Sequence, residues 1–253
     1  MQIAQKLSLT LLLVGLGIST ASLAQGQWFV QGSGAYVMAP EQNTTVTLGY
    51  DASPTPLPIL ENYKSTEKSS VIDASLGFGY RSNFNAPSFL ARNEVSLNYL
   101  QNTSLKLQGQ AMRVDTQHIG ENYQYNIDTR VAMLEDRLYF NTPSMFKPFV
   151  LAGVGMAQLN AHNFSSQPTD SATPIYSNDY ADQSKNKVVF EMGAGVAADL
   201  SKHVSVSLAY RYLDFGLIET GNAANQDGSG ATLGGLQYNM KTSSIMLGLN
   251  YYF

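Results

Sequence analysis

The chain has 253 residues, of which 13% are charged and 44% hydrophobic, with a net charge of −4 and no cysteine. This excludes a disulfide framework, a Cys-ligated zinc site and a lipid-modified N-terminal cysteine, and it leaves no basic footprint for nucleic acid. Disorder would need more charge and fewer aromatics, and a helical membrane protein would need spans of about 20 continuous apolar residues.

The first segment, MQIAQKLSLTLLLVGLGISTASLAQ, has the layout of a secretory signal. Lys6 gives a positive end, Leu7 to Ile18 an apolar run too short to span a membrane, and Ser22 to Ala24 a small-residue cleavage site. Residues 1–24 are expected to be removed, leaving 25–253 as a single domain.

Beyond Gln25 the pattern has a period of two, not 3.6, and predicts eight strands. The first, 27–38, sets Phe29, Gln31 and Ser33 against Val30, Gly32, Gly34 and Tyr36, and neither set is plainly the apolar one. The second, 70–81, is unambiguous: Ile72, Ala74, Leu76, Phe78 and Tyr80 oppose Asp73, Ser75, Gly77, Gly79 and Arg81. In the third, 88–100, Ala91, Val95, Leu97 and Tyr99 oppose Arg92, Glu94, Ser96 and Asn98. The fourth, within 122–140, fits worst. Either parity of TRVAMLEDRLYF leaves charge on the apolar face, Glu135 and Arg137 or else Asp136, and a bulge there would repair it.

The fifth, 147–159, sets Val150, Ala152, Val154 and Met156 against Gly153, Gly155 and Ala157. The sixth, 187–200, sets Val188, Phe190, Met192 and Val196 against Glu191, Gly193, Gly195 and Asp199. The seventh, 204–216, sets Val204, Val206, Leu208, Tyr210 and Tyr212 against Ser205, Ser207, Ala209 and Arg211. The eighth runs from about Tyr238 to Phe253 and alternates Ile245, Leu247, Leu249, Tyr251 and Phe253 with smaller or polar residues. Long polar connections, 39–69, 108–121, 160–186 and 217–237, alternate with short ones, so antiparallel neighbours would gather the long loops at one end.

One face of these strands is apolar and nearly free of charge; the other holds opposed charges among Gly, Ala and Ser. That is the pattern of a barrel with its greasy side in lipid, where only closed sheets satisfy every backbone group. The predicted fold is all-β, an eight-stranded antiparallel up-and-down transmembrane barrel. Asp73, Arg81, Arg92, Glu94, Glu191, Asp199 and Arg211 are expected in its interior, where buried charges of both signs must pair. Tyr99, Tyr139, Tyr210, Tyr212, Tyr251 and Phe253 are expected at the membrane boundaries.

KPFVLAGVG, LAYRYLDFG and MLGLNYYF resemble motifs of the eight-stranded outer-membrane barrel family, which includes OmpA-type, OmpX-like and opacity-protein barrels. The resemblance covers the mature chain, without the periplasmic peptidoglycan-binding domain of full OmpA-type proteins. It implies a bacterial outer-membrane location. Gly248, Tyr251 and Phe253 match the C-terminal signal read by the barrel assembly machinery, although Met246 departs from the polar residue usual there. The implied partners are outer-membrane lipid, lipopolysaccharide, that machinery, and host or envelope molecules met by the long loops.

No cofactor or metal site is expected. Asp115, His118 and Glu121 read as a solvated loop, and DGSGATLGG lacks the Lys-Ser/Thr and helix of a phosphate loop. His162 with Ser165 or Ser166 is the one candidate for a lipid-modifying site, and a structural, adhesive or interaction role is preferred over it. A narrow channel for small or apolar solutes is the alternative.

Overall fold

The computed structural model describes residues 26–253, apart from 41–42, 51–57, 66–68, 85–88, 103, 114–118, 170–179, 225–231 and 234. The signal segment and Asp115 to His118 therefore lie outside the described residues. The strands are β1 (Gly26–Ala39), β2 (Asn43–Tyr50), β3 (Pro58–Ser65), β4 (Ser69–Asn83), β5 (Leu90–Asn102), β6 (Leu105–Arg113) and β7 (Ile119–Phe140). They continue as β8 (Phe146–Pro168), β9 (Gln183–Asp199), β10 (Val204–Glu219), β11 (Ala223–Ala224), β12 (Thr232–Leu233) and β13 (Gln237–Tyr252).

Eight of these close a ring in the order β1, β4, β5, β7, β8, β9, β10, β13 and back to β1, each pair antiparallel. The all-β up-and-down barrel is thus the fold. On the outward face Ile72 and Leu76 of β4 and Leu247 of β13 are more than 60% exposed. Side chains of this size repeated over every strand make a patch far beyond what a water-soluble surface carries.

Register shows where that belt ends. Tyr99, Ala132, Met156 and Val188 occupy paired outward positions on four successive strands, as do Leu97, Leu134, Val154 and Phe190. Two residues further along each strand, the paired set is Gln101, Arg130, Gln158 and Asn186. All four strands change from apolar to polar at the same step.

The strands do not stop there, which corrects the expectation of four polar loops. The stretch 39–69 contains β2 and β3, and 108–121 contains much of β6 and the start of β7. The ends of β8 and β9 extend into 160–186, and the end of β10, with β11 and β12, lies in 217–237. Beyond the belt the two faces exchange character. Along the 22-residue β7, outward Leu134 and Ala132 give way to Arg130, Asp128, Asn126, Gln124 and Asn122. Inward Arg137 and Glu135 give way to Met133, Val131, Ile127, Tyr125 and Tyr123, all buried. The cause is the change of surrounding solvent. In hydrocarbon the polar groups are driven inside; in water the apolar ones are.

The uncertain strands resolve. In β1, Phe29 and Gln31 are buried inward, Ser33 hydrogen-bonds Ser75, its paired neighbour on β4, and Val30 and Tyr36 face out. In β7 no register shift falls between Glu135 and Arg137, so the expected bulge is absent. Glu135 and Arg137 face inward, and Asp136 is left on the outward side, where Asn93 of the neighbouring strand donates a hydrogen bond to it. Tyr139 is also corrected: it shares the inward parity of Glu135 and Arg137 and is fully buried, not at a membrane boundary.

Two of the register shifts beyond the belt carry a residue with positive φ. Asn163 (φ 56°) interrupts the pairing of β8 with β7, and Gly216 (φ 69°) interrupts that of β10 with β13. Next to them Phe164 and Phe215 pack inward. A Cβ at Gly216 would meet nothing within 4 Å, so replacement there costs only backbone strain. Gly216→Val is expected to lower unfolding free energy by about 1–2 kcal/mol in a urea titration, with the barrel intact.

Candidate functional site

The interior is the part of the molecule in which chemistry-bearing side chains converge. At the level of the short turns Glu94 is the hub, almost fully buried. Its carboxylate accepts hydrogen bonds from Arg81 Nε (2.9 Å), Tyr139 Oη (2.7 Å) and Tyr252 Oη (2.8 Å), with Arg92 Nε at 3.3 Å. Arg92 donates to both oxygens of Asp199, at 2.9 and 2.8 Å, and Arg81 Nη2 stands 3.6 Å from the same carboxylate. The two guanidiniums also lie over aromatic rings, Arg81 over Tyr252 at 3.3 Å and Arg92 over Tyr139 at 4.1 Å.

The next layer holds Arg211, which donates to Asp73 at 2.6 Å and to Ser244 at 3.2 Å and stands 3.7 Å from Glu191. Beside it Glu135 pairs with Arg137 at 2.5 Å. The structure therefore places Asp73, Arg81, Arg92, Glu94, Glu191, Asp199 and Arg211 together in the lumen. Sequence reasoning missed Glu135, Arg137, Tyr139 and Tyr252 as members of the same cluster. Their signal was shared parity: 135, 137 and 139 alternate inward, and Tyr252 alternates with the outward Tyr251.

Glycines make the room. An added Cβ at Gly153 would sit 2.8 Å from Glu191 Oε2, at Gly79 2.5 Å from the Phe29 ring, and at Gly195 2.6 Å from the Phe149 ring. Above the ions lies a gap of about 20 Å³, lined by polar Asp73, Asn102 and Thr129 together with apolar Leu105, Leu213 and Phe215. It is about the size that holds a single water.

The apolar layer fills the interior beyond the belt. Tyr63 meets Tyr123 with ring centroids 5.2 Å apart, Phe164 meets Tyr180 at 4.9 Å, and Tyr125 meets Tyr238 at 6.0 Å. Burial pushes the Tyr123, Tyr125 and Tyr238 phenols well above the usual tyrosine range. The folded state thus keeps protons that the unfolded chain loses above about pH 10, and stability falls as pH rises through that range. Absorbance titration at 295 nm is expected to show these phenols ionising only as the extension unfolds.

The other predicted positions are spread out. Gly248 faces inward on β13, and Tyr251 and Phe253 face outward, with the Phe253 N–H donating to the Trp28 carbonyl (3.0 Å) where the last strand meets the first. His162 Nε2 stands 3.3 Å from Asp128 Oδ2 on the outward wall, and Glu121 is buried inward. Among the described residues no cluster of three His, Cys, Asp or Glu could hold a metal ion.

A family model described as outer membrane protein beta-barrel domain matches residues 9–253. No curated protein sequence matches the chain. Among solved structures the chain is similar to the outer membrane protein OprG from Pseudomonas aeruginosa, at 13% identity and a TM-score of 0.51, over 90% of this chain and 96% of that one. Neisserial surface protein A is similar at 12% identity and a TM-score of 0.44, over 90% and 99% of the two chains. The outer membrane protease OmpT from Escherichia coli is similar at 8% identity and a TM-score of 0.47, over 90% and 97%.

Proposed function

The chain belongs to the outer membrane protein β-barrel family, and from that premise we propose that it is a closed, non-conducting barrel with an interaction role. Its ordered extension beyond the lipid presents the connecting segments to envelope or host partners. The observation that supports this reading is a lumen crossed by packed side chains at two levels. The ion layer spans the lower interior, and the aromatic layer occupies the upper. An eight-stranded barrel has just the interior that side chains fill. Passage of solute would require breaking buried ion pairs, at several kcal/mol each.

On this reading the lumen residues are structural, and they hold the ring rigid while the extension makes contacts. Gly248, Tyr251 and Phe253 serve insertion by the barrel assembly machinery, before the last strand seals against β1. Planar-bilayer recording tests the closed state: the purified barrel should give no discrete current steps in molar salt. Reproducible steps that survive repurification would refute it and favour the narrow channel.

A further inference from the structure

The outward wall beyond the belt carries chemistry that neither the lumen nor the lipid contact uses. On β6, β7 and β8 the paired outward residues are Gln108, Gln124 and Ser165, and, one step further, Gln110, Asn122 and Gln167. None of the six bears a formal charge. A concavity of about 280 Å³ opens among them, lined by Gln108, Asn122, Gln124, Ser165 and Gln167 with Gly109 and Tyr123. Its volume lies just below that of small-molecule sites, roughly 300–1,000 Å³.

Amide and hydroxyl groups offer donors and acceptors side by side. Phosphate would call for cationic donors, and none lines the concavity: Lys106, opposite Asn126, and Arg130, opposite Gln101, stand lower, and Lys64, paired with Gln110, flanks the wall without lining it. An apolar ligand would call for apolar walls. The chemistry that matches is a neutral, polyhydroxylated one. Height decides the source. Gln124 lies six residues beyond Arg130 on β7, which is about 20 Å along a strand and about 15 Å above the hydrocarbon once the strand tilt is counted. The headgroup layer is only about 5–8 Å deep. The concavity therefore stands above the phosphates, at the level of the sugars of the surrounding glycolipid.

We infer that this amide wall binds neutral sugars in the core oligosaccharide of the adjacent lipopolysaccharide. The inference rests on the membrane placement of the barrel but not on a closed lumen, so conduction would leave it standing. The test is saturation-transfer NMR on the full barrel in detergent, with delipidated core oligosaccharide from rough lipopolysaccharide as probe. The wild-type barrel should bind it in the millimolar range. Binding should weaken at least fivefold in Asn122→Ala/Gln124→Ala and stay unchanged in Lys241→Ala on the opposite wall, with the heat-dependent gel shift showing each variant folded. Three results would overturn the inference: no transfer to the wild-type barrel, equal binding by the double variant, or displacement of the saccharide by an equal concentration of inorganic phosphate.

Discussion

Glu94→Ala is expected to lower the unfolding free energy of the barrel by about 3–5 kcal/mol, measured by urea titration in lipid vesicles. Most of that loss comes from what remains. Arg81 and Arg92 would keep their charges in a nearly dry lumen, and the Tyr139 and Tyr252 hydroxyls would lose their acceptor. Removing a positive partner at the same time should therefore recover part of the loss. In Glu94→Leu/Arg81→Leu the remaining Arg92 still has Asp199. The double variant should be more stable than Glu94→Ala, although it lacks two charged groups. If Glu94→Ala unfolded at the wild-type midpoint, the ion layer would contribute nothing to holding the ring.

The second large effect is expected at Tyr125→Ala, about 3–5 kcal/mol by the same titration. Tyr125 packs with Tyr123, Phe164 and Tyr238. These lie outside the lipid, so their burial draws on the same hydrophobic effect as a soluble core. Proteolysis separates the two regions. In Tyr125→Ala the extension should become cleavable while the belt stays protected, and in Glu94→Ala the whole barrel should loosen together. A Tyr125→Ala barrel as resistant as wild type would mean that the extension is not held by its interior.

The belt was legible in the sequence because lipid enforces a strict alternation. Leu76, Phe78, Val154, Met192 and Leu247 read correctly from parity alone. The lumen charges were legible for the same reason, since a charge on the wrong parity would face hydrocarbon. LEDR at 134–137 was not, because consecutive charges satisfy neither parity. Only the register shows Asp136 turned outward and held by Asn93. Tyr139 was assigned by residue type to an interface, whereas its position two residues from Arg137 puts it inside. The extension was read as loops because its outward residues are polar. NYQYNID at 122–128, inside the predicted fourth strand, keeps the period of two and only exchanges its faces. A pattern sought with a fixed apolar face misses a strand that passes from one solvent into another.

A lysine scan along β7, read as unfolding free energy in lipid vesicles, tests that exchange of faces most directly. Lysine at outward Leu134 should cost about 2–4 kcal/mol, as a charge in hydrocarbon does, and at outward Gln124 close to nothing. At inward Tyr125, the residue next to Gln124, the cost should return to several kcal/mol. A profile in which Gln124→Lys is as costly as Leu134→Lys, or Tyr125→Lys as harmless as an exposed substitution, would contradict the account.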